Sequence, residues 1–439
     1  MRLVFRTAAQ QSVPDDAILL DRLRGRAATV HSGGNLLEGL RPPGAALDVL
    51  NLGEAVYAAD RVVPRPGDWS PRELELTVPV SDPDRLRAAA PTVERLLNFL
   101  TGDRWAISPA DRPTQHFRPE TPARQIDAVC LLSGGLDSLA GAIDMLADGL
   151  RAELVSHYEP SRLDHSRQQE LAQRLTERFG RPYVKHRQRA LAPVTAVHPA
   201  QARSLSGETE NTTRSRSLLF IANGVAVAAA YGGQVPLLMP ENGFVGINVP
   251  LTRSRLGPLS TRTTHPHVMV LIADALAAMG VTNSVVNPYR LMTKGEALAA
   301  SAEPDLLAAL GPVSLSCAHP EQGRFQYGTT GNCGHCWPCL IRRAAMHAVG
   351  LDDGDQYACD VLTDPDLLDR DGGGAHLRAL LMSLARPARP EDVLVNGPVP
   401  RDEIAAFADL HRRGRAELAG WLAGGHEQLA RRVGVRSTA

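Results

Sequence analysis

The sequence predicts an α/β protein built on a Rossmann-like parallel sheet, and three observations carry that reading. An apolar strand over residues 126–132 runs through Ser133-Gly134-Gly135 directly into an apolar-periodic helix over about 136–146. Strand-like and helix-like segments then alternate in βαβαβ order to about residue 187, which implies parallel strands with helices on both faces. At 439 residues the chain exceeds one ordinary core, and its 44% hydrophobic content is that of a globular protein, so further domains are expected around this sheet.

Taken in order, the first eleven residues hold Arg2 and Arg6 and no apolar stretch of signal-peptide length, so a cytoplasmic location is expected. Residues 46–59 read as a helix, 73–78 alternate as a half-buried strand, and 83–100 form an amphipathic helix closed by Gly102. These make an accessory N-terminal α+β domain, residues 1–124. Prolines recur among polar residues from 108 to 122 and mark a linker. Beyond the first βα unit, 153–158 reads as a second strand, 166–179 as a helix of alternating charge and 182–187 as a third strand. A polar loop over 192–213, a helix over 214–231 and a strand over 235–239 follow. The apolar runs 218–231 and 268–281 are short for a bilayer and interrupted by Asn223 and Asp274, so they read as buried helices and no membrane span is expected. The domain built on this sheet is placed at 125–350, and 351–439 reads as a helical C-terminal extension.

Forty-seven basic and forty-eight acidic residues nearly cancel, so no global field recruits nucleic acid or an anionic membrane. Chemistry concentrates instead at residues 133–138, Ser-Gly-Gly-Leu-Asp-Ser. A strand ending in glycines at a helix start presents unpaired backbone N–H groups and the positive end of the helix dipole to one point, which suits phosphate. Gly134 and Gly135 permit the close approach, Ser133 and Ser138 add hydroxyl donors, and Asp137, on an exposed turn, can hold a cation or position a nucleophile. The spacing is neither that of a Walker A loop nor GxGxxG. A second cluster holds four of the six cysteines: Cys333, Cys336 and Cys339 at two-residue spacing, with Cys317 upstream, the closed four-thiol set that structural zinc prefers. His319 or His335 replacing one thiol is the alternative ligand set.

Ser-Gly-Gly-Leu-Asp-Ser resembles the SGGxDS signature of the PP-loop ATP pyrophosphatases, which adenylate an oxygen and release pyrophosphate. Arg214-Ser215-Arg216-Ser217 at a helix start, the stretch 286–297 (Val-Asn-Pro-Tyr-Arg-Leu-Met-Thr-Lys-Gly-Glu-Ala) and the four cysteines look like the 7-cyano-7-deazaguanine synthase (QueC) family, over residues 126–350. The stretches 241–252 and 259–266 depart from that pattern and resemble the QueC-like proteins of bacterial antiphage operons, the QatC type, which also carry an added N-terminal domain.

The resemblance implies ATP, Mg2+ and Zn2+ as cofactors and a 7-carboxy-7-deazaguanine-type carboxylate as substrate. Ser133, Gly134, Gly135, Leu136, Asp137, Ser138, His157 and Arg214 are the expected nucleotide contacts, with Asp137, Ser138, Lys294 and Arg216 as catalytic groups. Glu241, Asn242, Gly243, Arg262 and Thr263 are the expected substrate contacts, Glu241 taking either magnesium or the base edge of the purine. Tyr158 and His165 are weaker nucleotide candidates. The expected reaction is adenylation of the acid and transfer to an amine, in the defence type a protein N-terminus supplied by the same operon. Ammonia as amine, giving the nitrile, is the alternative, and a nucleotide-binding scaffold without turnover or a base-modifying enzyme are the rivals. A homodimer is compatible with all of these.

Overall fold

The computed structural model describes residues 1–7, 11–22, 30–66, 70–112, 124–158, 164–193, 210, 214–251, 262–318, 320, 330–370, 372–426, 429 and 431. The stretch 252–261 and His319, both part of the expectations above, lie outside the described residues, as does most of the loop 192–213.

Two sheets organise the chain. The first orders its strands β2-β1-β4-β5, all parallel: β1 (Arg2–Arg6), β2 (Ile18–Asp21), β4 (Glu73–Val80) and β5 (Arg104–Asp111). Helices α1 (Gly44–Val62) and α2 (Pro83–Thr101) connect them, and α2 ends on Gly102 at φ 74°. Prolines at 109 and elsewhere suggest a linker from 108, but β5 runs on to Asp111. It lies at the sheet edge, where Pro109 leaves no central ladder bond unmade.

The second sheet orders β10-β9-β6-β7-β8-β3. Strands β6 (Ala128–Leu131), β7 (Ala152–Tyr158) and β8 (Val184–Pro193) alternate with α3 (Leu136–Ala147) and α4 (Asp164–Phe179). After α5 (Arg216–Tyr231) the chain crosses back to the other side of β6, where β9 (Leu237–Leu238) and β10 (Val285–Val286) lie parallel to it. β9 is only two residues long, shorter than the apolar run 235–239, because Pro236 and Pro240 flank it without an N–H to donate. The sheet is parallel except at one edge. There β3 (Val30–Gly33) pairs antiparallel with the tail of β8, Val30 opposite Pro193 and Gly33 opposite Ala190. This partner carries β8 six residues past the expected end at 187.

The region before residue 124 therefore contributes a strand to the second sheet, and one apolar core runs through both sheets. Helix α1 lies inside that core and is buried nearly all round. Its Glu54, fully buried, accepts from Arg22 just after β2 and from Arg189 of β8, so one carboxylate ties the two sheets. Burial alone would raise the Glu54 pKa, but the two guanidinium groups hold it below the usual range. α1 crosses α5 where a Cβ on Gly53 would lie 2.6 Å from the Ala222 Cβ. Gly53→Val should therefore push the helices apart at a cost of about 1–3 kcal/mol, read as a lowered thermal midpoint; an unchanged midpoint would contradict this packing.

Among the described residues the further α-helices are α6 (Gly243–Ile247), α7 (Pro266–Ala278), α8 (Lys294–Ala299), α9 (Pro304–Leu310), α10 (Trp337–Ala348), α11 (Ala375–Leu384) and α12 (Ile404–Ala423). The C-terminal extension is helical with several 3-10 turns, and it shares a core with α6 and α10 through Phe244, Trp337, Leu340, Phe407, Leu410 and Trp421. Among the described residues no helix is long and apolar enough to cross a membrane.

Candidate active site

β6 and β9 are neighbours whose onward connections run to opposite sides of the sheet, and a crevice opens beyond their carboxyl ends, where open α/β sheets place their ligands. A cavity of about 590 Å³ lies there. Residues 133–138 line one side of it, apart from Gly134. The Pro240-Glu241 stretch after β9 and the Arg262-Thr263-Thr264 turn before α7 also line it.

The backbone of 133–138 has the form the glycines foreshadow. Gly134 sits at φ 90°, where a side chain is strained, and its carbonyl accepts from Leu315 N at 2.8 Å. Gly135 is the extended cap of α3. The Ser133 and Ser138 hydroxyls lie 3.1 Å apart, Ser138 Oγ donates to Gly135 O at 2.9 Å, and Gly135 N donates to Ser133 Oγ at 3.3 Å. Leu136 N donates to Ser316 Oγ at 3.4 Å.

Asp137 is less exposed than a turn position suggests: its side chain is 12% exposed. Two segments from across the crevice cover it. Lys294 Nζ, buried at the start of α8, lies 2.7 Å from Asp137 Oδ1, and Asn242 Nδ2 donates to Oδ2 at 2.8 Å. Thr293 caps α8 in a full capping box with Glu296, as its position before Lys-Gly-Glu suggests. Glu417 of α12 accepts from Thr293 Oγ1 at 2.7 Å and Gly295 N at 3.1 Å, bracketing Lys294 from behind. The 286–297 stretch also holds the loop after β9. Asn287 Nδ2 donates to Glu241 O at 2.7 Å, and Gly243 N donates to Tyr289 O and Met292 O.

Glu241, half-buried in the cavity wall, accepts from Thr264 Oγ1. Burial pushes its carboxyl up to about 7 and the nearby Asp137 adds to this, against the pull of the Thr264 hydroxyl and Lys294. Arg214, Arg216 and Arg262 line the cavity as well. Arg214 Nη1 donates to Thr101 O at 2.8 Å; burial, with Arg65 nearby, lowers its pKa to about 9. Arg216 lies over the Phe220 ring at 5.1 Å. Arg262 lies over Phe99 at 4.5 Å, donating to Phe99 O and Asn396 Oδ1, and burial lowers its pKa. Thr263 Oγ1 is 2.7 Å from Ser217 Oγ.

Besides Gly134, several expected contacts sit elsewhere. His157 is fully buried, its ring edge-on to Tyr57 and Phe220, because the alternation of β7 turns it under α1 and α5 rather than toward the crevice. Asn242 lies behind the wall, acting through Asp137. Gly243 does not line the cavity either; a Cβ there would stand 2.0 Å from Arg290 O, so its glycine serves chain packing. Tyr158 and His165 stack on each other at 3.8 Å, and neither lines the cavity.

The four cysteines converge. Their sulfurs all lie within 4.8 Å of one another, with Cys317 and Cys336 at 3.8 Å and Cys333 and Cys339 at 3.9 Å. Four sulfurs about 2.3 Å from a tetrahedral centre stand ~3.8 Å apart, so this set fits zinc. Gly334 makes the knuckle at φ 85°, where a Cβ would meet Cys359 O at 2.0 Å. Arg342 of α10 ties the cluster to the crevice: it is buried and donates to Gly311 O, Ser314 Oγ and Ser316 Oγ. Cys317 itself lines the cavity.

No family model matches the chain. Curated relatives do. The chain is similar to the 7-cyano-7-deazaguanine synthases of two Leptospira interrogans serovars, Copenhageni and Lai, each 21% identical over 253 residues, covering 55% of this chain and 96% of the relative. This weak likeness supports a QueC-like relationship and spans nearly the whole of those proteins.

Sequence reasoning did not single out Ser316, Asn287 or Glu417 for the contacts they make. A polar residue beside a predicted metal ligand was the available signal for Ser316, and an Asn-Pro at a strand end for Asn287. Glu417 is one acid within a long helix and has none.

Proposed function

We propose that the protein is an ATP-dependent carbon–nitrogen ligase that adenylates a 7-carboxy-7-deazaguanine-type acid and transfers it to an amine, a protein N-terminus in an antiphage defence system. The observation that carries this reading is that the serine–glycine cradle, the Lys294–Asp137 pair, three arginines and Glu241 meet in one cavity at the crossover of the sheet. The likeness to 7-cyano-7-deazaguanine synthases supplies the class of acid.

In this reading the triphosphate lies along residues 133–138. The hydroxyls now on Gly135 N and Leu136 N can rotate away and release those donors to phosphate oxygens. Lys294 and the arginines stabilise charge developing on the α-phosphorus as the carboxylate attacks it and pyrophosphate leaves, so that positioning and electrostatics do most of the work. Magnesium, arriving with ATP, would neutralise part of the triphosphate charge. Zinc at Cys317, Cys333, Cys336 and Cys339 would have no open position and so a structural role. The protein acceptor is favoured by the reach of the region before residue 124, a surface on which a partner would dock: Leu100 of α2 lines the cavity and Arg262 is pinned on Phe99.

The test combines the protein, ATP and carboxy-deazaguanine with each neighbouring operon product. AMP and pyrophosphate should form, and intact-mass analysis should find one partner heavier by the acyl-deazaguanine group. Free nitrile with added ammonia and no adduct would favour the synthase reaction instead; ADP and phosphate without AMP would exclude both.

A further inference from the structure

The cavity wall holds one acid for which gripping phosphate offers no use. Asp137 is matched by Lys294 and the Asn242 amide, whereas Glu241 forms no ion pair among the described residues and receives the Thr264 hydroxyl. A carboxylate facing a polyphosphate site repels the ligand unless it holds the accompanying cation or serves another step. Glu241 is also held firmly. Asn287 Oδ1 accepts from its N–H at 3.3 Å while Asn287 Nδ2 donates to its carbonyl at 2.7 Å, and the next residue, Asn242, is bonded to Asp137. β9, which leads to it, pairs with β6, which leads to the cradle, so both project from one sheet edge.

Resting on the adenylation reading above, we propose that Glu241 is the general base of the second half-reaction, taking a proton from the amine as its nitrogen attacks the adenylated acyl carbon. The N–C bond forms, the acyl C–O bond to AMP breaks with its electron pair on the departing phosphate oxygen, and the amine proton passes to the carboxylate and on to solvent. A peptide amine, whose ammonium form has an ordinary pKa of about 8, attacks only as the free base, and its nitrogen must shed one further proton before the amide is complete. An exposed glutamate is a feeble base for it; burial brings Glu241 up to about 7, close to what general-base catalysis at neutral pH favours. Asp137 of α3 and Lys294 of α8 act on its charge, and Arg214 and Arg216 at the start of α5 and Arg262 before α7 share the cavity wall with it.

The experiment separates the two half-reactions in the full-length protein. Exchange of labelled pyrophosphate into ATP, dependent on carboxy-deazaguanine, reports adenylation; amide formation is followed with ammonium and with a tripeptide amide bearing a free N-terminus. Glu241→Gln should slow amide formation by about 10²–10⁴-fold while exchange falls less than tenfold. In the unmutated protein amide formation, expressed per free-base amine, should lose rate as pH falls through about 7, a limb absent from exchange and from Glu241→Gln. Thr264→Val, by removing a hydrogen bond to the ionised form, should move that limb to higher pH. Equal losses in exchange and amide formation in Glu241→Gln would mark a magnesium or purine ligand and overturn the proposal, as would a wild-type profile without the limb. Absence of exchange in the unmutated protein would overturn the adenylation reading itself, and this inference with it.

Discussion

Replacing Cys336 with serine is expected to strip the protein of about one zinc per chain and leave it largely unfolded or insoluble. A structural zinc site contributes ~10–16 kcal/mol of apparent binding free energy, comparable to the ~5–15 kcal/mol that holds a whole domain together. The cluster is also wired into its surroundings. Cys339 lies in the first turn of α10, Arg342 on the next turn bonds the 311–316 segment, and Ser316 receives the Leu136 N–H of the cradle. Metal loss should therefore disturb the turn at residues 133–138 as well. Elemental analysis and thermal melts with and without a strong chelator check this; a metal-free protein melting at the same temperature would refute it.

Asp137→Ala is expected to abolish AMP and pyrophosphate formation, by a factor of 10³ or more, and to destabilise the protein as well. The second effect follows from Lys294, which is buried and would lose its partner at 2.7 Å; leaving a buried charge unpaired costs about 3–5 kcal/mol. The double variant Asp137→Ala with Lys294→Met removes both charges and should recover most of the melting temperature with none of the activity. Recovery of activity in the double variant would show that Asp137 only neutralises Lys294, and that the catalytic role assigned to the pair is wrong.

What could be read from the sequence was what is local. The strand, glycine turn and helix around Ser133, the capping Thr293 and the cysteine spacing each need only a few neighbouring residues to announce them, and each stands where expected. What escaped depends on distant partners. β1, β2 and β3 are four or five residues long and gain their definition from pairings such as Leu3 with Ile18 and Val30 with Pro193. The depth of Asp137 and the burial of His157 are likewise set by segments far away in the chain, Asn242 and Lys294 over one and α1 over the other. Glu417 illustrates the limit: nothing in a helix of mixed charge says which acid will reach across to another helix.

The edge pairing of β3 with β8 bears on how the chain comes off the ribosome. Val30 emerges early, but its partner Pro193 is made 163 residues later, which at translation speeds of about 5–20 residues per second is on the order of ten seconds or more. The first sheet has all four of its strands by Asp111 and can begin to assemble in that interval. β3 and the apolar flank of α1 that waits for α5 cannot, so the nascent chain carries an unpaired strand and an uncovered helix throughout, surfaces that invite chaperones. Truncated products ending before α5 should be cleared rather than folded. For the same reason the N-terminal region is a poor candidate for exchange between relatives as a cassette, since whatever acquires it must also acquire the strand and helix that complete it.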